Sequence, residues 1–202
     1  METLGWILRE LVQTCVTVID RRNPFSAHHS ARVAEVSSAI AQSMHMDEAA
    51  VESCDIAGSL MNLGKVTVSS RLLTKIDKLT DTELAMVRAS TLTSTELIEG
   101  VEFDGSVADT IQQNRERWDS SGQPDSLDQE NILPTARVVA VANAFVSMVS
   151  ARDYRPGCRL MKLPKPPCRA PARRMTGGLY LPFCIIGISR VAPAMGPFRD
   201  ST

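Results

Sequence analysis

The chain lacks the features of a secreted protein. Its five Cys show no CxxC spacing, and its first ten residues contain three charged side chains and no apolar run before a cleavage site. An odd number of scattered Cys without a signal peptide argues for reduced thiols and against a disulfide framework. We therefore expect a cytoplasmic protein.

Long apolar runs are also missing. No stretch of about 18 uncharged apolar residues occurs, and a spanning helix needs about that many. The most apolar run, residues 179–188, is shorter and contains Pro182. We therefore expect no membrane-spanning helix and no membrane partner.

Net charge is nearly absent but unevenly distributed. The 22 Lys and Arg almost balance the 23 Asp and Glu, giving a formal net charge of -1. Residues 1–156 carry a net charge of -8, whereas residues 157–202 carry +7. An acidic main domain does not attract nucleic acid through its overall field, so we expect no nucleic-acid partner.

Apolar residues recur at helical spacing over most of the chain, which predicts an all-α domain. Asp47 and Thr80 are predicted N-caps, Ser26 is another, and Pro134 is predicted to lie in the first turn of a last helix. No alternating pattern typical of strands occurs before residue 157. The predicted helices cover about 4–20, 26–44, 47–60, 80–98, 105–117 and 134–149.

The composition changes after residue 156. Eight of the eleven Pro lie in 156–202, and the prolines at 164, 166, 167 and 171 prevent a helix there. We expect residues 1–156 to form the helical domain and 157–202 a separate, poorly ordered Pro/Arg-rich tail. The tail has two possible origins. One is a frameshift near codon 157, and the other is a genuine tail that binds a partner or an acidic surface.

Two segments carry a family resemblance. Residues 113–124 read QNRERWDSSGQP and residues 59–65 read SLMNLGK. They resemble the HD-GYP segments HHERWDGSGYP and LLHDIGK, and residues 23–34, 79–90, 136–145 and 152–156 resemble further family segments in register. The resemblance implies an HD-domain-like helical bundle. It also implies a centre of two or three Fe or Mn ions that cleaves cyclic di-GMP.

Most ligand positions implied by the resemblance carry poor metal donors. Asp20 and His29 are the residual candidates, because Fe and Mn prefer imidazole and carboxylate ligands. The degenerate positions are Met61, Asn62, Ser90, Asn114, Arg115 and Asn143. Arg115 would also place a permanent cation at the metal position. We therefore expect no metal cofactor and no catalytic residue, and His29 is either a remaining ligand or a hydrogen-bonded structural residue.

Three further residues are candidates for ligand binding. Lys65 matches the family's phosphate-contacting Lys, so it either holds an anion or is a solvated Lys at a helix end. Arg117 and Trp118 are predicted to stack and to pair with the loop. Gln123 replaces the Tyr of the Gly-Tyr-Pro motif, which alters the surface that the resemblance assigns to partner contact.

These observations favour a catalytically inactive signalling domain of a bacterial cyclic di-GMP or two-component pathway. It would bind a protein partner, with a nucleotide such as cyclic di-GMP as a further candidate ligand. One alternative is a working metal-dependent phosphodiesterase with atypical ligands. Another is a damaged gene product without a selected function. The sequence leaves the oligomeric state and any attached sensory or receiver domain open.

Overall fold

The computed structural model describes residues 2–22, 28–75 and 77–150 of the chain, and in the first range it describes the side chains of Ile7 and of residues 10–21. Over these ranges the chain is helical and contains no strand, which confirms the predicted all-α fold. Short 3-10 turns occur at Leu63–Thr67 and Gln129–Asn131. The helices are α1 (Glu2–Arg22), α2 (His29–Ser43), α3 (Glu48–Leu60), α4 (Ser70–Leu73), α5 (Asp81–Leu97), α6 (Val107–Gln113) and α7 (Pro134–Val149).

The core is centred on α2, which packs on both α3 and α7. Val33, Val36 and Ile40 of α2 are fully buried, as their helical spacing predicts. They meet apolar side chains of α7 such as Val139 and Val146, which are also fully buried. Each buried Val or Ile contributes about 1.5–3 kcal/mol to the stability of the fold.

The helix starts follow local sequence signals. Asp47 caps α3 by accepting a hydrogen bond from the Ala50 N–H at 2.8 Å. Thr80 and Glu83 form the predicted capping box at the start of α5, and Pro134 occupies the first turn of α7. These caps satisfy N–H groups that have no partner inside the helix. All three predictions are confirmed.

The start of α2 is less regular. The residue before the helix is His28, which has a left-handed backbone and makes no capping hydrogen bond through its side chain. The predicted cap, Ser26, lies outside the described residues. His28 itself turns the chain into α2.

Helix α1 differs from the prediction in which side chains it buries, and helix α6 differs in its length. The periodicity of α1 predicted the helix, but Ile7, Leu11 and Val18 are exposed, at 44%, 58% and 52%. Its buried apolar side chains include Val16 and Ile19. The predicted helix over 105–117 was too long, because α6 ends at Gln113 and the chain continues as turns.

The expected absence of a membrane-spanning helix and the predicted tail both involve residues that the structure does not describe. Among the described helices, none is long and apolar enough to cross a membrane. Residues 151–202 are outside the described ranges, so the boundary after residue 156 and the order of the tail stay predictions.

Candidate functional site

The His29 imidazole is buried and forms a hydrogen bond with α7. His29 is buried at the start of α2, and its Nε2 lies 3.0 Å from Oδ1 of Asn143. An amide oxygen only accepts hydrogen bonds, so the Nε2–H tautomer of His29 makes this contact. The amide stands where the resemblance implies a metal-ligating carboxylate.

A second polar chain joins α1, α2 and the end of α3. Ser30 Oγ donates to Asp20 Oδ1 at 3.2 Å, and Asn62 Nδ2 donates to Ser30 Oγ at 3.3 Å. Burial raises the pKa of Asp20, while the Ser30 hydrogen bond and the positive charges of His28 and Lys65 oppose the shift. Sequence reasoning missed Ser30, although it follows His29 directly and carries a side chain suited to bridging.

The third contact joins the end of α3, the following turn and α5. Ser94 Oγ accepts from the Gly64 N–H at 2.8 Å and shares its own hydrogen between the carbonyls of Met61 at 3.1 Å and Ser90 at 3.0 Å. A Cβ on Gly64 would overlap the Ser90 carbonyl oxygen, so the turn can approach α5 this closely only with glycine. The degenerate positions Met61 and Ser90 therefore lie on neighbouring segments. Ser94 carried no distinguishing signal in the sequence.

Asn114 and Arg115 follow α6 directly. The Asn114 amide is buried and donates to the Ile111 carbonyl at 2.7 Å, which ends the helix. Arg115 lines a cavity together with Arg88 and Thr91 of α5, beside Ser90. The structure thus places Arg115 near α5 and uses Asn114 as a local cap.

A buried carboxylate fixes the loop after α6. Glu116 is only 2% exposed, and its two oxygens accept from the N–H groups of Asp125 at 2.6 Å and Leu127 at 3.1 Å. A Cβ on Gly122 would overlap the Glu116 backbone, so glycine is required there as well. Glu116 was not among the predicted site residues, although it belongs to the motif on which the resemblance rests.

The predicted stacking of Arg117 on Trp118 is replaced by a different pair. The guanidinium over the Trp118 ring belongs to Arg137 of α7, 5.5 Å from the ring centroid. Arg117 points outward and is exposed. The sequence pattern suggested the neighbour in the chain, whereas the fold brings a buried Arg from a distant helix.

Lys65 lies on the site side of the turn after α3. It is half-buried, and its charge acts on the Asp20 carboxylate. Both alternatives for Lys65, anion binding and a solvated Lys at a helix end, stay predictions.

The donors on these helices do not fit a centre of two or three Fe or Mn ions. Asp20 and His29 are the only imidazole or carboxylate side chains at the eight implied ligand positions, and both already form hydrogen bonds. Within the described ranges no group of three His, Cys, Asp or Glu side chains is placed to hold a metal ion. Amide, hydroxyl and thioether groups are weak substitutes for the donors these metals prefer.

Comparison with known proteins identifies the fold. The family model described as HD domain matches residues 13–162, most of the chain. The chain belongs to the HD domain family. Curated relatives of this HD domain are cyclic dinucleotide phosphodiesterases, which confirms the predicted HD-GYP resemblance.

Three relatives illustrate the match. The cyclic di-GMP phosphodiesterase response regulator RpfG of Xanthomonas campestris pv. campestris is 30% identical over 73% of this chain and 39% of its own length. The cyclic di-GMP phosphodiesterase of Thermotoga maritima is 30% identical over 87% of this chain and 47% of its own length. The 3'3'-cGAMP-specific phosphodiesterase 1 of Vibrio cholerae is 24% identical over 73% of this chain and 34% of its own length. The HD domain described here thus spans less than half the length of each of these relatives.

Proposed function

We propose that this HD domain is a catalytically inactive signalling module of a bacterial cyclic di-GMP pathway. The observation that carries the proposal is the hydrogen bond between His29 Nε2 and Asn143 Oδ1 at 3.0 Å. Where the resemblance implies an imidazole and a carboxylate on one metal, an amide holds the imidazole instead. The domain would act in the cytoplasm by binding a protein partner or a nucleotide.

The charge of the pocket supports the same proposal. Metal activation of water requires a cation held by anionic and imidazole ligands. Here Asn62 and Asn143 are neutral, and a third implied ligand position carries the permanent positive charge of Arg115. The Asp20 carboxylate is the one potential anion at these positions, and burial raises its pKa.

The rival proposal is a phosphodiesterase with atypical ligands, which the names of the relatives motivate. Metal analysis and hydrolysis assays on the purified chain separate the two. We expect no stoichiometric Fe or Mn and no hydrolysis of cyclic di-GMP or 3'3'-cGAMP. Near-stoichiometric metal, or hydrolysis that is lost on His29→Ala, would establish the rival.

A restored variant provides the matched control. It would carry imidazole or carboxylate side chains at the degenerate positions while keeping the backbone. We expect this variant to bind metal when the native chain does not, because affinity depends on the type and number of donors. If neither binds metal, the donor set is not the reason for inactivity. The changes are Met61→His, Asn62→Asp, Ser90→His, Asn114→His, Arg115→His and Asn143→Asp.

The third alternative, a damaged gene product, depends on the tail and not on the pocket. Residues 157–202 lie outside the described ranges. The coding DNA decides this point. A family-like helix encoded in another reading frame past Pro156 would establish a frameshift, and its absence from both other frames would refute one.

A further inference from the structure

A cavity of about 370 Å³ lies between α5 and the loop that follows α6. Ala85 and Leu92 of α5 and Pro124 of the loop supply its apolar wall. This volume is at the small end of the range for pockets that hold small molecules, about 300–1,000 Å³. The cavity can therefore accept a small ligand or one part of a larger one.

Two arginines line this cavity from opposite segments. Arg88 comes from α5 and Arg115 from the loop, and Gln112 and Gln123 add amide groups. Burial lowers the pKa of Arg115, and the positive charge of Arg88 lowers it further. An arginine nevertheless stays protonated at any physiological pH.

The two charges have no protein counter-ion at the cavity. No carboxylate lines it, and the nearby Asp125 accepts a hydrogen bond from Gln112 Nε2 at 2.9 Å. Across the ranges the structure describes, neither Arg88 nor Arg115 has a hydrogen-bonded or ionic partner for its side chain. Arg115 is half-buried and Arg88 is exposed, so water screens part of their mutual repulsion, and a bound anion would offset the remainder.

We propose that Arg88 and Arg115 bind the phosphate group of a small phosphorylated molecule in this cavity. The planar guanidinium donates two parallel hydrogen bonds and matches the oxygens of a phosphate. The amide of Gln123, and the second Nε2 hydrogen of Gln112 that Asp125 does not accept, can donate to the same anion or to the group attached to it. The inference rests on the proposed loss of the metal centre, since Arg115 stands at an implied ligand position.

Calorimetric titration of the full chain tests the proposal. The probes are inorganic phosphate, GMP and guanosine. We expect phosphate and GMP to bind and guanosine not to bind. Tighter binding of GMP than of phosphate would identify a nucleotide as the ligand class, and equal binding would identify the phosphate group alone. Binding of guanosine as tight as that of GMP would overturn the proposal.

Matched variants locate the site. Arg88→Gln and Arg115→Gln should each weaken phosphate binding about tenfold or more, because each removes a charge-assisted hydrogen-bond donor. Arg71→Gln makes the same charge change on the exposed surface of α4, away from the cavity, and should leave binding unchanged. Thermal melts of all variants show whether each one folds. Folded Arg88 and Arg115 variants that bind as tightly as the native chain would refute the assignment.

Metal analysis of the same samples separates this inference from the proposed function. Phosphate binding by metal-free protein supports both. Metal-free protein that binds no phosphate contradicts only the anion site. Phosphate binding that disappears with the metal on chelation would place the phosphate on a metal and overturn both.

Discussion

Asparagine at positions 62 and 143 keeps the shape of aspartate and removes its charge. Each amide is used in the structure: Asn62 donates to Ser30 and Asn143 bonds to His29. A buried polar group that is hydrogen-bonded avoids a desolvation penalty of about 1–3 kcal/mol. The two alternatives for His29 were a remaining ligand and a structural residue, and its bond to Asn143 favours the structural one.

The raised pKa of Asp20 leads to a pH-dependent prediction. A carboxyl group whose pKa is raised on folding stabilises the fold below its unfolded pKa, and this contribution is lost as pH rises through the folded value. Asp20→Asn should therefore raise the melting temperature at pH 7, because it removes a carboxyl group whose charged form is disfavoured by burial. The difference should disappear as the pH falls toward 3.8, the ordinary pKa of the group.

The control for this change is Asp77→Asn, which removes a carboxylate from an exposed position. Asp77→Asn should not raise the melting temperature at pH 7. Melts at several pH values provide the measurement. A melting temperature of Asp20→Asn below that of the native chain at pH 7 would show that the Asp20 charge is compensated and stabilising.

At the scale of elements, sequence patterns located the helices better than their ends and faces. The capping signals at Asp47, Thr80 and Pro134 are local, so they could be predicted without knowing the fold. The exposure of apolar side chains on α1 could not be predicted in this way. Helical spacing shows that apolar residues share one face of a helix, but it does not show which neighbouring element packs against that face. The early end of α6 at Gln113 depends on the turn around Asn114, which periodicity does not encode.

The capping box of α5 predicts a difference between two neighbouring threonines. Thr80 Oγ1 accepts from the Glu83 N–H at 3.3 Å, and Glu83 Oε2 accepts from the Thr80 N–H at 2.8 Å. Thr80→Ala should lower the free energy of unfolding by about 1 kcal/mol. Thr82→Ala, in the exposed first turn, should change it little. Urea denaturation measures both, and equal effects would contradict the role of the cap.

The loop after α6 depends on one carboxylate. Glu116→Gln keeps the size of the side chain but leaves one acceptor oxygen for the two N–H groups of Asp125 and Leu127. The variant should be less stable by about 1–3 kcal/mol, because a buried donor loses its partner. Glu130→Gln, on an exposed neighbouring segment, is the control. A Glu116 variant as stable as the control would show that the loop is held by other contacts.

At the scale of the whole molecule, the resemblance predicted which positions would form the pocket but not how their side chains would interact. The contacts from His29 to Asn143 and from Asn62 to Ser30 span 114 and 32 residues of sequence. Motifs identify such residues one segment at a time, so they cannot show that the amides bond to neighbours. The pairing of Arg137 with Trp118 was missed for the same reason.

The hydrogen bonds inside the pocket predict that the fold does not depend on metal. A metal that binds the native state stabilises it, and a chelator removes that contribution. Since amides bond to the side chains of the pocket, we expect EDTA to leave the melting temperature of the native chain unchanged. The restored variant, loaded with metal, should melt at a lower temperature once EDTA is added. A clear drop in the melting temperature of the native chain on addition of EDTA would contradict the proposed loss of the metal centre.

The hydroxyl of Ser94 joins the end of α3, the turn at Gly64 and α5. Backbone amides exchange hydrogen with solvent only when their hydrogen bonds open. Gly64 is buried and its amide is hydrogen-bonded to Ser94, so this amide can exchange only when the turn separates from α5. Its exchange rate in deuterated water therefore measures how often this side of the pocket opens. A ligand that binds between these segments would slow the exchange of that amide, even if it caused no change in the average structure.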